Sequence, residues 1–275
     1  MNALPKSYTA LVEAKALSSV ILLDGAMQQR LGERLARDPD GAVSLFADYS
    51  RAAQALGPWL MTPERAATLG IDGCARRVNW LASALPMDAV REHLLHWMRG
   101  PDPTARTWQR LADGRALTAL MSVWVHSQRT AFCQPWQAWC YGDRNGMGRL
   151  LALPDKQEML TPVSTALDAV QQQRLRLATA ADRLIHELKT TVDLHASIKN
   201  CRESRHATVQ GVLAQAAAAG YAVENDLGQF VVWALRTGAT AAQRWAGLGA
   251  VEQRLTGSAL SEALGEDMGP EKLTL

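Results

Sequence analysis

The chain lacks most of the marks that announce a chemistry. Its four cysteines, Cys74, Cys133, Cys140 and Cys201, form no Cys-x-x-Cys pair and no dense framework. A disulfide scaffold and a ribbon-type zinc site are therefore excluded, and reduced thiols in a cytosol are expected. Charge of one sign is not in excess: 29 Lys and Arg stand against 27 Asp and Glu, a formal net charge of +2. No basic run stands out, so no electrostatic grip on nucleic acid is expected. Long apolar runs are missing too. The one ending in Val20-Ile21-Leu22-Leu23 is preceded by Glu13 and Lys15, far short of the ~20 apolar residues a membrane helix needs. The N-terminus does not read as a signal peptide, and a cytoplasmic location follows.

Catalytic and cofactor motifs are equally scarce. Glu92-His93-Leu94-Leu95-His96 places its histidines three apart with the glutamate ahead of both. A zincin helix needs them four apart with the glutamate between, so no metal site is expected there. Cys133 and Cys140 flank Pro135-Trp136 with His126 nearby, a spacing that suits small buried apolar groups better than zinc. Cys201 lies near His195 and His206 in Arg-rich helical sequence, where a structural role is favoured over a thiolate nucleophile. The glycine-rich stretch from Gly142 to Gly148 lacks the Gly-Lys-Ser/Thr of a phosphate loop and the regular oxygen ligands of a calcium loop. A tight turn between strands accounts for it. There is no Gly-x-Ser-x-Gly elbow. No cofactor is implied. Two acidic residues, Asp24 and Asp113, follow expected strands, where carboxylates can serve a hydrolase or simply fix a turn. The second role is favoured.

What is present is tryptophan: nine, against three Phe and four Tyr. Seven lie between residues 59 and 139: Trp59, Trp80, Trp97, Trp108, Trp124, Trp136 and Trp139. Core packing is the first reading for each, but Trp also anchors interfaces, and Trp59, Trp136 and Trp139 are the candidates for a partner surface.

The pattern of apolar residues and breakers divides the chain near Pro154. The fold class expected is a mixed α/β N-terminal lobe over residues 1–153, with a small β-sheet flanked by helices, and an all-α C-terminal lobe over residues 154–275. In the first lobe, strands are expected over 19–23, 42–46 and 104–111, with extended chain after Gly57-Pro58. Helices are expected over 27–37, 74–84, 87–98 and 114–125. This alternation points to a mixed or parallel sheet. The second lobe reads as a long helix over 164–199 and shorter ones over 204–219, 226–236 and from Thr240, with a frayed tail from Gly265.

Four stretches, taken in order, resemble one family. They are Leu22-Leu23-Asp24-Gly25-Ala26; Ser44-Leu45-Phe46 followed by Gly57-Pro58-Trp59-Leu60; His93-Leu94; and Arg110-Leu111-Ala112-Asp113-Gly114-Arg115-Ala116-Leu117. The last is similar to that family's motif Arg-aromatic-Tyr-Asp-Pro-Arg-x-Leu, with Leu111-Ala112 in place of the aromatic pair and Gly114 in place of proline. The resemblance spans residues 19–140. It is to the bacterial family defined by a domain of unknown function (4123), whose members act as type VI secretion effector chaperones, or adaptors. It implies a protein that is not an enzyme. Such a protein binds a cognate toxic effector, stabilises it and loads it onto the spike protein VgrG, as a monomer that joins a heterocomplex. In this picture Arg110, Asp113 and Arg115 either fix the strand-to-helix turn or face the partner, while Asp24, Gly25 and Pro58 are structural. The alternatives are a small-substrate hydrolase using Asp24 or Asp113, and a helical interaction module unconnected with secretion.

Overall fold

A computed structural model describes residues 3–75, 77–99, 108–155, 162–187 and 202–218, together with 228, 230, 231 and 233. The apolar run at 19–23 is strand β1 (Ser18–Asp24). Its last five residues are all buried, because both sides of the strand are covered. It lies at the centre of a six-stranded sheet with β2 (Ala42–Ser44), β3 (Pro58–Met61), β4 (Val78–Ser83), β5 (Trp136–Gly142) and β6 (Gly148–Leu150), in the order β2-β3-β1-β4-β5-β6.

Every pairing in this sheet is antiparallel. The alternation of strand and helix suggested a mixed or parallel sheet, and the pairing corrects that. One helix precedes β1 and others connect each strand to the next as far as β5; the β1-to-β2 connection skips past β3 and the β3-to-β4 connection past β1, while β5 and β6 form a hairpin. Those helices are α1 (Lys6–Ala14), α2 (Gln29–Arg37), α3 (Arg51–Leu56), α4 (Pro63–Thr68), α5 (Met87–Arg99), α6 (Gly114–Val123) and α7 (His126–Cys133).

A larger correction concerns residues 74–84, read as a helix from sequence. They contain β4, paired with β1 on one side and β5 on the other. All six of its residues are buried. A strand covered on both faces carries no period of two, and its apolar run is then indistinguishable from a buried helical segment. The strand expected over 104–111 also fails where it is described: 108–110 are irregular and Leu111-Ala112 form a turn. Residues 104–107 lie outside the described residues.

The sheet separates two cores. On one face Ile21, Leu23, Trp59, Met61, Val78 and Trp80 pack with Tyr8 of α1, Leu35 of α2 and Ala66 of α4. On the other, Val20, Leu22, Leu60, Leu81 and Trp139 pack with residues of α5, α6 and α7, including Trp97, Trp124 and Phe132. The second core is an aromatic cluster. Trp97, Trp124, Phe132, Trp136 and Trp139 stand in edge-on or tilted contacts at centroid separations of 5.0–6.4 Å, each such contact adding ~0.5–1.5 kcal/mol beyond area burial.

By compactness the chain separates into two units, Met1–Leu175 and Arg176–Leu275. Helix α8 (Ala169–Glu187) begins in the first. There the amide of Gln171 donates to Gln128 Oε1 at 2.6 Å and to Val123 O at 3.1 Å, tying the start of α8 to the α6–α7 corner. In the second unit α9 (Arg202–Ala218) buries Val209, Leu213 and Ala216. Phe230, Val231 and Trp233 are buried as well. The helix expected from Thr240, the stretch 188–199 of the long helix, most of 226–236, and the tail lie outside the described residues. Among the described residues no helix is long and apolar enough to cross a membrane.

Candidate functional site

Segments far apart in sequence meet at the C-terminal end of β1. Asp24, its last residue, is 5 % exposed. Asp24 Oδ1 accepts from Met27 N at 3.1 Å, closing the turn into α2. Asp24 Oδ2 accepts from an Arg110 guanidinium nitrogen at 2.7 Å, across 86 residues of sequence. The Arg110 side chain is 47 % exposed, so it is anchored at its head while its flank meets solvent. Arg77 donates to Met27 O from the side.

Glycine is required beside Asp24 because backbones touch there. Gly25 N donates to Gly57 O at 3.0 Å. A Cβ on Gly25 would lie 2.4 Å from Gly57 O and 2.5 Å from Ala55 O. Pro58 follows as the residue paired with Asp24 across β1 and β3. Phe46 caps the same corner, its ring lying over Gly57, where any Cβ would meet it at 2.5 Å.

The Arg110–Arg115 stretch is a loop, a turn and the start of α6. Asp113 is the N-cap of α6: Oδ1 accepts from Arg115 N at 3.1 Å. The Arg115 side chain closes back on the same carboxylate, Nε to Oδ1 at 3.0 Å and a terminal nitrogen to Oδ2 at 2.7 Å. Burial by itself would raise the Asp113 pKa, but the bonds and charge of Arg115, helped by the charge of Arg110, overcome it and hold the group below its ordinary value. Asp113 thus pairs with Arg115, while Arg110 pairs with Asp24. The three motif residues are not one closed cluster.

One residue that sequence reasoning missed locks this turn to the sheet. Asn79, the second residue of β4, is 1 % exposed. Its amide nitrogen donates to Ala112 O at 2.7 Å and Leu22 O at 3.4 Å, and its oxygen accepts from Trp139 Nε1 at 3.1 Å. A single polar residue inside the run Val78-Asn79-Trp80-Leu81 was the available signal, since a buried amide must find partners. Asp143 was missed for a similar reason. It is buried in the β5–β6 hairpin, where Oδ1 accepts from Asn145 N and Met147 N, both at 2.9 Å, and Oδ2 from Arg149 Nε at 3.0 Å. The glycine-rich stretch is therefore a tight turn between strands.

The interface candidates Trp59, Trp136 and Trp139 are 0–1 % exposed and belong to the two cores. They offer no surface to a partner, which corrects the expectation made from sequence. Phe46, Tyr49 and Trp108 do reach the surface and form another group, with centroids 4.7–6.0 Å apart. Tyr49 is 47 % exposed. The Arg99 guanidinium sits 5.4 Å from the Trp108 ring centroid, a cation–π distance. It also faces Asp48 at 3.7 Å. This group adjoins the Asp24 corner through Phe46 and continues along the chain from Trp108 to Arg110.

His93, within the motif set, faces inward. A ring nitrogen lies 2.9 Å from Phe132 O, and the ring stacks on Phe132 at 6.0 Å. Burial pushes its pKa down. No group of three or more His, Cys, Asp or Glu positioned for a metal occurs among the described residues. Each oxygen of Asp24 and of Asp113 already accepts from a protein donor. Neither of two surface cavities, of about 310 and 540 Å3, is lined by them. What the corner does chemically is engage two buried carboxylates with protein donors inside and present Arg110 and aromatic side chains outside.

The corner is thus assembled from three of the four sequence blocks, on an antiparallel sheet with helices on both faces. Residues 21–131 match the family model described as a domain of unknown function (DUF4123). The match runs from the last four residues of β1 through most of α7, and so contains every residue of the Asp24–Arg110 and Asp113–Arg115 pairs. No curated protein and no solved structure matches the chain.

Proposed function

We propose that this chain is a cytoplasmic adaptor that binds a type VI secretion effector, stabilises it and loads it onto the VgrG spike. The observation that carries the reading is the convergence of three of the four DUF4123-like motif blocks on one corner, whose acidic groups are engaged internally and whose Arg110, Tyr49 and Trp108 reach solvent. Catalysis needs a carboxylate free to take a proton or attack a substrate. Asp24 and Asp113 are instead engaged by Met27 N, Arg110 and Arg115, which argues for scaffolding over turnover. Interface hot spots favour Arg, Tyr and Trp anchored in place and exposed on one side. Arg110, Tyr49 and Trp108 meet that description. The adaptor is a monomer that forms a heterocomplex, with no cofactor and no metal.

The test is genetic and biochemical. Deleting the gene lowers the level and the secretion of the effector encoded beside it, and the parent chain restores both. Tyr49→Asp, a change at a half-exposed side chain outside the Asp24–Arg110 pair, folds but restores neither. An effector equally soluble, abundant and secreted without this chain overturns the reading.

A further inference from the structure

Cys74, just before β4, and Cys140, in β5, lie 66 residues apart in sequence with their sulfurs 3.2 Å apart. Both are buried and reduced. We propose that these two thiols are a modification site: a peroxide converts them to an intramolecular disulfide that clips the segment before β4 to β5. The inference stands apart from the adaptor reading and holds whatever partner the chain binds.

Three observations carry it. A disulfide needs its sulfurs ~2.05 Å apart, so closing from 3.2 Å takes about 0.6 Å of movement by each sulfur, within reach of a small side-chain rotation. The space for the Cys74 sulfur exists because residue 148 is glycine: a Cβ there would lie 2.5 Å from it. Gly148 begins β6, an edge strand of three residues, and such short edges open locally at low cost, which admits a small oxidant to the buried pair.

The asymmetry between the thiols sets the order of the steps. The contact with the Cys140 thiol holds Cys74 below its ordinary value against the opposing effect of burial. The same contact, then burial, push Cys140 up. Cys74 also lies against Gly148 of the short β6 edge, where a small oxidant enters, so it is the attacking sulfur. Its thiolate attacks one peroxide oxygen, the O–O bond breaks, and the departing hydroxide takes the thiol proton to leave as water, giving a Cys74 sulfenic acid. The Cys140 sulfur then attacks Cys74. The S–S bond forms, the S–O bond breaks, and the hydroxyl leaves with the Cys140 proton as a second water. Both sulfurs are oxidised and the peroxide is reduced.

The full-length reduced protein is treated with excess hydrogen peroxide, quenched, denatured and alkylated. The expected product has lost two hydrogen atoms, is monomeric, and gives a non-reduced peptide pair joining Cys74 to Cys140, while Cys133 and Cys201 take the alkylating agent. Its thermal midpoint rises by several degrees and returns with reductant, because the clip restricts the unfolded chain. The Cys74→Ser variant shows no such loss of hydrogen. Alkylation of all four cysteines, a linkage through Cys133 or Cys201, or a midpoint that does not rise in the oxidised form overturns the proposal. The peptide map of the parent protein decides alone if the variant does not fold.

Discussion

Replacing Asn79 with alanine removes the bolt between the sheet and the Arg110–Asp113 turn. The side chain is 1 % exposed and serves three partners: Trp139 Nε1, Ala112 O and Leu22 O. Leu22 belongs to β1 and sits in the ladder, but Trp139 Nε1 and Ala112 O lose the partner Asn79 supplies. A buried polar group left unsatisfied costs ~1–3 kcal/mol, so Asn79→Ala is expected to cost about 2–6 kcal/mol. Against a total of about 5–15 kcal/mol for a natural domain, that is a large share. For a unit of this size each kcal/mol lowers the midpoint by ~2–4 °C, which places the thermal shift near 10 °C. Urea unfolding followed by tryptophan fluorescence reads the loss directly, since Trp139 is one of the reporters. Asn79→Asp is expected to be worse than alanine, because it keeps an acceptor for Trp139 but buries a charge and loses the donor to Ala112. An alanine variant within about 1 kcal/mol of the parent would refute the claim that this amide holds the turn.

Gly32→Ala adds a Cβ that would sit 1.9 Å from Ala55 O, forcing α2 and α3 apart. Despite alanine's intrinsic helix advantage of about 1 kcal/mol, urea unfolding is expected to show a net loss of about 2 kcal/mol or more; a net gain contradicts the packing. Asp113 is held below its ordinary pKa in the folded chain, so its contribution is complete above the unfolded value of about 4 and is lost as pH falls through the folded one. Asp113→Asn is expected to be less stable at neutral pH and to lose less on acidification below about pH 4. His93 has its pKa lowered by burial. The unfolded chain therefore binds a proton near pH 6.5 that the folded chain refuses, and stability falls as pH drops from 7 to 5. His93→Gln flattens that slope in a urea-midpoint series.

Legibility from sequence followed the covering of each element. α2, with its exposed arginines Arg30, Arg34 and Arg37 and inward Leu35, shows a helical period and was read within two residues of its observed bounds. β1 declared itself through the β-branched, apolar run ending at Asp24-Gly25. β4 did not, because central strands carry no alternation, and its mixture of Val78, Trp80 and Ala82 fits either period. Asp24 and Asp113 were flagged as turn-fixing carboxylates, a role visible in the Asp-Gly pairs that follow strand-like or loop sequence. Their partners were not legible. The Asp24–Arg110 pair spans 86 residues, and nothing local chooses Arg110 over Arg115. The tryptophans misled for a physical reason: Trp suits a core and an interface equally, and only the sheet's geometry decides that Trp136 and Trp139 are covered while Trp108, beside Tyr49, is not fully so.

The most direct measurement is co-expression of the chain with the effector encoded next to its gene, followed by size-exclusion chromatography with mass determination. The adaptor account predicts one co-eluting complex of both chains, lost in the Tyr49→Asp variant and kept in Asp143→Asn, whose carboxylate serves the β5–β6 hairpin. Two separate peaks, with the effector soluble by itself, would contradict it.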